Sequence, residues 1–237
     1  QNWKDIMKKT KKRPNAIDAS TAQGILEMFQ ESNKVLEKIQ KSLEDYLETK
    51  RMGFPRFYFL SNDELLEILS QTRDPLAVQP HLRKCFDAMA TVDFEDGQAT
   101  DDDKPMKIIV AMNSAETEKV KFSNPVATAP KSVEFWMCDL EAMMIQSLLD
   151  WTIEAKEAYS EDVREKWFFM FPAASISTVD QIEWTRSAEN AINLINEGVN
   201  ENALNDFLQA SVEQISRMVD VIRTNLTNIQ RSVMANL

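Results

Sequence analysis

The segment that decides the fold is RMGFPRFYFLSNDELLEILSQTRDPLAVQPH, residues 51–81. Four aromatic side chains fall within six of its positions: Phe54, Phe57, Tyr58 and Phe59. The next residues match a capping box, in which the Ser61 hydroxyl accepts from the backbone N–H of Glu64 and the Glu64 carboxylate reaches back. The pattern predicts an extended, β-prone aromatic connector over 54–60 and a helix over Asn62–Gln71.

Helical periodicity precedes this connector. Residues 2–13 favour a short helix that stops near Pro14, since the residue before a proline disfavours helical backbone. A longer helix is predicted over Ser20–Lys50, with Gly53 and Pro55 ending it. Its apolar residues recur every three or four positions, which predicts one buried face. These residues are Ile25, Met28, Phe29, Leu36, Ile39, Leu43 and Leu47.

The spacing of apolar residues changes after the aromatic connector. Pro75 suits the first position of a short helix, and a further helix is predicted over about His81–Met89. Residues 93–105 are polar and acidic, and we expect a surface loop there. Lys107–Phe122 then holds two β-prone runs around a polar turn, which is typical of a β-hairpin.

Long helices are predicted for the second half of the chain. We expect one over Ser132–Tyr159, followed by a second aromatic connector over 165–172 that a proline ends. Residues 173–196 favour another helix, which Gly198 breaks. The last predicted helix runs from about Asn202 to the end of the sequence. Its length of roughly 45 Å, at 1.5 Å per residue, suits a strut.

Composition agrees with a mainly α fold. The 237 residues include four glycines and twelve methionines. Few glycines leave few tight turns, because close backbone approach needs a missing Cβ. We predict elongated helical bundles that form a rod-like arm, with one small β-hairpin. The sequence begins at Gln1 and ends at Leu237 with helical spacing still running, so we expect a piece of a longer polypeptide.

Charge and cysteine content disfavour several classes of partner. The net charge is −11 and the pI about 4.7. Phosphate neutralisation requires a basic surface, so we expect no nucleic-acid partner. No apolar run approaches the roughly 18–20 residues that span a bilayer, and we expect no membrane partner. Cys85 and Cys138 lack CxxC spacing and are predicted to be reduced thiols.

The sequence offers no catalytic, cofactor-binding or metal-ligating set. His81 is the single histidine, and a lone histidine is far more often a packed or surface residue than a catalyst. No glycine is followed by lysine, so the GxxxxGK[ST] phosphate loop is absent. The Asp101–Asp103 run lacks the glycine and the distal carboxylate of a calcium loop, which favours a solvated loop. We predict no enzyme activity for this segment.

Six segments, in order along the chain, resemble the linker region of dynein heavy chains. The most specific is GFPRFYFLSNDELLEILSQTRDPLAVQPHLRKCFDAM, residues 53–89, because it is long and chemically unusual. Within it, FLSNDELLEILSQTRDP is more similar to axonemal than to cytoplasmic heavy chains. The other segments are LEKIQKSLEDYLETKR, SAETEKVKFSNPV, VEFWMCDLEAMM, WFFMFPAASISTVDQIEWT and NIQRSVMANL.

The resemblance implies a mechanical arm, N-terminal to an AAA+ ring, that swings as the first AAA module binds and hydrolyses ATP. Residues 1–130 and 131–237 would then be the N-terminal and C-terminal parts of the linker. ATP with Mg would bind in the ring of the parent chain and not in this segment. The implied partners are that ring, intermediate and light chains, other heavy chains and, through a downstream domain, microtubules. The implied location is the cytoplasmic cytoskeleton, in the axoneme of a cilium or flagellum.

A lever must bend at few places, so we interpret the two aromatic connectors as structural joints locked by large side chains. The predicted residues of the first joint are Phe54, Pro55, Phe57, Tyr58 and Phe59. Those of the second joint are Phe168, Phe169, Phe171, Pro172 and Trp184. Flexing is expected near Phe171–Ala174 or Gly198–Asn200.

Two alternatives stay open. The aromatic residues of both joints fit the role of ordinary core residues equally well. The Lys107–Phe122 hairpin is either a local fold element or a projecting contact with the ring or a neighbouring chain. The alternative function is a free-standing helical adaptor, or scaffold, that binds partner helices.

Overall fold

Helices make up most of the structure. The computed structural model describes residues 2–70, 74–99, 105–159 and 164–235. The α-helices in these ranges are α1 Asn2–Lys12, α2 Ala16–Ser20, α3 Ile25–Gly53, α4 Asn62–Ser70, α5 Leu82–Cys85, α6 Val133–Ala158, α7 Arg164–Trp167, α8 Ala173–Asn196, α9 Ala203–Ile222 and α10 Asn228–Ala235. The other elements are two 3₁₀ helices, Pro55–Phe59 and Pro75–His81, and three strands, β1 Thr91–Ala99, β2 Pro105–Asn113 and β3 Lys119–Ala127. The prediction of a mainly α fold is confirmed.

Contacts divide the chain into two compact units, residues 1–52 and residues 53–237. In the first unit, the Asn15 side-chain oxygen caps α2 by accepting from the backbone N–H of Ile17 at 3.0 Å. Trp3 of α1 packs on Phe29 of α3, with ring centroids 6.2 Å apart. The division of the linker at residue 130 stays a prediction.

The long helix of the first unit differs from its prediction in two ways. Gly24, with a φ of +80°, separates α2 from α3, so α3 begins at Ile25 and not at Ser20. The predicted buried face is wrong over most of its length. Leu36 is 61% exposed, and Leu47 is the one buried residue of α3. Periodicity places side chains on a shared face, but it does not supply the element that covers them.

The first aromatic connector is a 3₁₀ helix rather than the predicted extended segment. Pro55 occupies its first turn, where the fixed φ of proline suits a helix. The N–H of Phe57 donates to the Phe54 carbonyl at 3.0 Å, and the N–H of Leu60 to the Phe57 carbonyl at 3.1 Å. The tight turn buries Phe54 and Phe57 together, and this burial overrides the strand preference of aromatic residues.

The capping box that follows is confirmed. The Ser61 N–H donates to Glu64 Oε2 at 3.0 Å, and the Glu64 N–H donates to Ser61 Oγ at 3.3 Å. Helix α4 therefore begins at Asn62, as predicted, and continues to Ser70. The predicted last residue, Gln71, lies outside the described residues.

Two short helical turns follow α4. Asp74 Oδ1 caps the Pro75–His81 3₁₀ helix by accepting from a backbone N–H two residues on, at 3.0 Å. The helix predicted over His81–Met89 is shorter and covers Leu82–Cys85. It ends there because Phe86 turns into extended backbone, with a φ of −135°, and buries its ring.

The predicted hairpin is part of a three-stranded antiparallel sheet in the order β1-β2-β3. Strand β1 occupies residues 93–99 of the predicted surface loop, where that prediction is wrong, and residues 100–104 lie outside the described residues. That prediction rested on the acidic side chains, but lysines of β2 and β3 pair with two of them. Lys119 Nζ lies 2.6 Å from Asp93 Oδ2, and Lys107 Nζ lies 2.6 Å from Asp96 Oδ1.

A bulge in β3 ties the sheet to helix α6. The strand register jumps from Lys121 opposite Ala111 to Val126 opposite Ile109, so the backbone between them leaves the ladder. Side chains of α6 satisfy the freed groups. The Ser123 N–H donates to Ser147 Oγ at 2.9 Å, and Trp151 Nε1 donates to the Lys121 carbonyl at 2.9 Å.

The predictions for α6 and α8 agree with the structure. Helix α6 covers Val133–Ala158 and α8 covers the predicted residues 173–196. Both contribute to one buried cluster, which also receives residues from α7 and α10. Its members are Ala155, Trp167, Phe168, Ile176, Val179, Val233 and Met234.

The final continuous helix is a wrong prediction, because α9 ends at Ile222 and α10 begins at Asn228. A second capping box causes the restart. The Gln230 N–H donates to Thr227 Oγ1 at 3.3 Å, and the Thr227 N–H donates to Gln230 Oε1 at 2.9 Å. The interruption returns Val233 to the buried cluster, and an unbroken helix would carry it away.

Candidate functional site

The first joint has a buried half and an exposed half. Phe54 and Phe57 have no exposed surface, and their rings meet edge to face with centroids 5.0 Å apart. Pro55 is exposed at the start of the 3₁₀ helix. Tyr58 is 54% exposed and Phe59 67% exposed. The structure brings only the first two aromatics into the core, and the role of all five residues as a joint stays a prediction.

Arg56 is a residue of the first joint that the sequence analysis missed. Its Nε lies 2.8 Å from Glu141 Oε1 of α6, and its Nη1 donates to the Cys85 carbonyl at 3.0 Å. Its guanidinium carbon also lies 4.9 Å from the centre of the Phe86 ring. One side chain therefore connects the 3₁₀ helix with α5 and α6. Its place between Pro55 and Phe57 was visible in the sequence, but its partners were not.

Both cysteines lie near the first joint. Cys138 Sγ donates to the carbonyl of Gly53, the last residue of α3, at 3.4 Å. A Cβ on Gly53 would stand 3.2 Å from Cγ of Glu134, so the backbone approaches α6 closely there. Burial raises the pKa of the Cys85 thiol to about 11, and burial also raises the pKa of Cys138. Both thiols stay protonated at neutral pH and act as packing groups.

The second joint is centred on Trp167 and Phe168, which are buried. Trp167 Nε1 donates to the Ala155 carbonyl of α6 at 2.8 Å inside the core. Its ring meets Tyr159 edge to face at 5.1 Å and Phe168 at 5.8 Å. The sequence analysis did not single out Trp167, although its large area and its N–H donor were available signals.

The other predicted residues of the second joint lie at its margin or elsewhere. Phe169 and Phe171 are partly buried against the cluster, and Phe171 lies 6.4 Å from the Trp167 ring. Pro172 immediately precedes α8. Trp184 is 55% exposed and packs on Phe207 of α9 with ring centroids 5.7 Å apart. Trp184 thus belongs to the contact between α8 and α9.

A charged contact that the sequence analysis missed crosses the second joint. The guanidinium of Arg164 pairs with the Asp180 carboxylate of α8 and donates to the Tyr159 hydroxyl. It also lies over two rings, 5.0 Å from the centre of Tyr159 and 5.4 Å from that of Phe168. Burial raises the pKa of the Asp180 carboxyl, and the Arg164 charge opposes that rise. Nothing in the sequence marked this arginine among the other charges.

The described residues contain no cluster of histidine, cysteine and carboxylate groups that could hold a metal ion. His81 is buried, with Nε2 3.6 Å from Glu67 Oε2. The Asp101–Asp103 run lies outside the described residues. Of the helices that the structure describes, none is long and apolar enough to cross a membrane. The absence of catalytic, cofactor and metal sites stays a prediction.

Comparison with known proteins settles the family. The family model "Dynein heavy chain, N-terminal region 2" matches residues 1–155, which include the first joint, the sheet and most of α6. The chain belongs to the dynein heavy chain family. The resemblance seen in the six sequence segments is therefore confirmed.

Curated dynein heavy chains match the whole chain. Human dynein axonemal heavy chain 12 is 38% identical over 239 residues, and human dynein axonemal heavy chain 3 is 40% identical over 237. The Dynein-1-beta heavy chain of the flagellar inner arm I1 complex of Chlamydomonas reinhardtii is 37% identical over 231 residues. These matches cover 98–100% of this chain but only 5–7% of each relative.

Proposed function

We propose that the segment is the mechanical linker of a dynein heavy chain, which acts as a lever arm. It couples ATP-driven changes in a downstream AAA+ ring to the power stroke of microtubule-based ciliary motility. The observation that carries the proposal is the second joint, where Trp167 bonds to α6 inside a core shared with α8 and α10. Helices that meet at compact buried connectors transmit force, since any bend is confined to the connector.

The proposed setting follows from the relatives, which are named as axonemal or flagellar inner-arm heavy chains. We place this chain in the axoneme of a cilium or flagellum. Its proposed partners are its own AAA+ ring, intermediate and light chains and other heavy chains, with microtubules bound by a downstream domain. ATP and Mg bind in the ring of the parent protein.

The two proposed hinges differ in what holds them. Phe171–Ala174 is braced by the aromatic cluster of the second joint. Gly198–Asn200 is a helix end with φ +70° at Gly198, held by backbone bonds such as that from the Val199 N–H to the Leu194 carbonyl at 2.9 Å. Bending at the first hinge must break packing contacts, and bending at the second must part the Trp184–Phe207 pair.

A matched pair of substitutions in the first joint tests the lever. Phe57→Ala removes a buried ring, and Phe59→Ala removes an exposed ring from the same 3₁₀ helix. In the intact motor we expect Phe57→Ala to slow microtubule gliding at least twofold at saturating ATP, while basal ATP turnover stays within twofold of the parent. The reason is that a softened lever loses stroke and not nucleotide chemistry.

Phe59→Ala is the control and should leave both quantities unchanged. The lever proposal fails if Phe57→Ala lowers the stability of the segment, measured by denaturant unfolding, and gliding speed nevertheless stays at the parent value. A parallel fall of gliding and ATP turnover also opposes it, because the defect would then lie in the ring.

The alternative of a helical adaptor is supported by a specific observation. Helices α3 and α9 each carry an exposed apolar stripe at helical spacing, such as Leu36 and Ile39 on α3 and Leu208 and Ile215 on α9. Such stripes suit partner helices. Sequencing the source transcript beyond the codon for Leu237 separates the two functions. A GxxxxGK[ST] loop roughly 100–200 residues downstream supports the lever, and an early stop codon supports the adaptor.

A further inference from the structure

The start of α8 is capped from a distant part of the chain. The first backbone N–H groups of a helix have no partner within it, and the Pro172 side chain cannot supply one. The Ala173 N–H instead donates to Glu118 Oε1 at 2.7 Å. Glu118 lies in the turn between β2 and β3, 55 residues away along the chain. The carboxylate also complements the positive end of the helix dipole.

The turn that presents Glu118 is held by its own hydrogen bonds. Ser114 Oγ accepts from the N–H groups of Glu116 and Glu118, each at 3.2 Å. The Ser114 N–H donates to the Glu118 carbonyl at 2.9 Å, and Thr117 adopts a left-handed φ of 71°. The carboxylate therefore projects from a fixed backbone and not from a free loop.

A second contact ties the same strand to the residue before Pro172. Trp151 Nε1 donates to the Lys121 carbonyl of β3, and the Trp151 ring lies 6.4 Å from the Phe171 ring. The β2–β3 turn therefore contacts the chain after Pro172 at Ala173, and the start of β3 contacts the chain before it through Trp151, which packs on Phe171. At the start of α6, by contrast, the side chain of the N-cap residue Ser132 makes no capping bond.

The contact borders a cavity of about 230 Å³ between the sheet, α6 and the start of α8. Its apolar lining is rich in methionine, whose unbranched side chain repacks readily. The lining residues include Met89, Met112, Val120, Met144, Leu148 and Ala174. The first turn of α8 therefore has neighbouring space into which it can shift once its cap is released.

We propose that Glu118 is a latch that holds the start of α8 against the β2–β3 turn and keeps the Phe171–Ala174 hinge closed. Opening the latch frees the first turn of α8 to pivot at Pro172. The mechanical meaning of the latch rests on the proposed lever, but the restraint itself is a property of this chain that is measured without motor activity.

Hydrogen exchange of the intact protein, read at single residues by fragmentation mass spectrometry, tests the latch. Glu118→Ala should speed exchange of the Ala173 amide about tenfold or more, because a hydrogen bond to a charged acceptor is lost. The Ile176 amide, which bonds to the Pro172 carbonyl, should also exchange faster as the first turn frays. Glu118→Gln keeps an oxygen acceptor without the charge and should give a smaller acceleration.

Glu116→Ala is the matched control, since Glu116 is exposed in the same turn and only its backbone takes part in the network. It should exchange like the parent protein. Unchanged exchange at Ala173 in Glu118→Ala overturns the latch and leaves the lever proposal standing. Equally faster amide exchange throughout α9 in Glu118→Ala and Glu116→Ala also overturns the latch, because the effect would then be general destabilisation. If Phe57→Ala lowers stability but leaves microtubule gliding unchanged, that result would instead count against the lever proposal alone.

Discussion

The two joints are assembled from different distances along the chain. In the first, Phe54 and Phe57 pack on each other across a single 3₁₀ turn. In the second, Trp167 reaches back to α6, Arg164 reaches forward to α8, and Val233 returns from α10 to complete the core. The local aromatic pair of the first joint can be read from the sequence, whereas contacts between distant elements, including Arg56–Glu141 in that same joint, cannot.

The ion pairs of the two joints also differ in their solvent exposure. The Arg56–Glu141 pair of the first joint keeps about a third of each side chain exposed, 38% and 32%. The Arg164–Asp180 pair of the second keeps 22% and 18% and is covered by two aromatic rings. Solvent screens the first pair more strongly, so we expect a larger coupling energy between the two charges of the second pair.

The largest effect should come from the tryptophan of the second joint. Trp167→Ala leaves a cavity and removes one of the two hydrogen bonds to the Ala155 carbonyl, and we expect a loss of about 3–5 kcal/mol in the free energy of unfolding. Trp184→Ala, at an exposed ring pair, should lose only about 1 kcal/mol. Denaturant unfolding of both variants measures the difference, and equal losses would contradict the placement of Trp167 at the centre of the joint.

A smaller effect should distinguish the two ion pairs. Arg164→Met leaves Asp180 partly buried without its partner, and we expect a loss of about 2–3 kcal/mol. Arg56→Met should lose about 1 kcal/mol. Double-mutant cycles with Asp180→Leu and with Glu141→Leu isolate each pairing energy. A coupling energy for Arg56–Glu141 as large as that for Arg164–Asp180 would contradict the expected difference between the joints.

The smallest effect concerns pH at the end of the first joint. A hydrogen bond from Lys84, and then one from the Ser61 N–H, lower the pKa of the Glu64 carboxyl from 4.5 to about 2. Its contribution to stability is therefore complete above pH 4.5 and is lost as the pH falls towards 2. Glu64→Gln should flatten the pH dependence of unfolding in this window. Asp63→Asn is the control, and an identical flattening by both variants would oppose the assignment to Glu64.

Elements with local start signals were predicted well. The capping box at Ser61 fixed the start of α4, and proline and glycine bounded α8 at Pro172 and Gly198. The break before α10 has an equally local signal, the Thr227–Gln230 capping box. The prediction of one continuous helix followed the apolar spacing instead. Local capping hydrogen bonds therefore determine where these helices begin more strongly than the spacing of apolar residues does.

Features that depend on distant partners were not predictable. The acidic residues of β1 suggest a loop until the sheet brings Lys107 of β2 and Lys119 of β3 into contact with Asp96 and Asp93. The apolar stripe of α3 suggests a buried face, although Leu36 is exposed. In the candidate site, the sequence did not single out Trp167 or Arg164, because their contacts are with partners on other helices.

The bulge in β3 has a consequence for association between chains. An exposed strand edge presents unpaired backbone groups that can recruit a strand from another molecule. Here the outer side of β3 is occupied by Ser147 and Trp151 of α6. The opposite edge, β1, carries the carboxylates of Asp93, Glu95 and Asp96. One edge is therefore covered and the other carries charged side chains, so crowding many copies together should not extend this sheet into an intermolecular one.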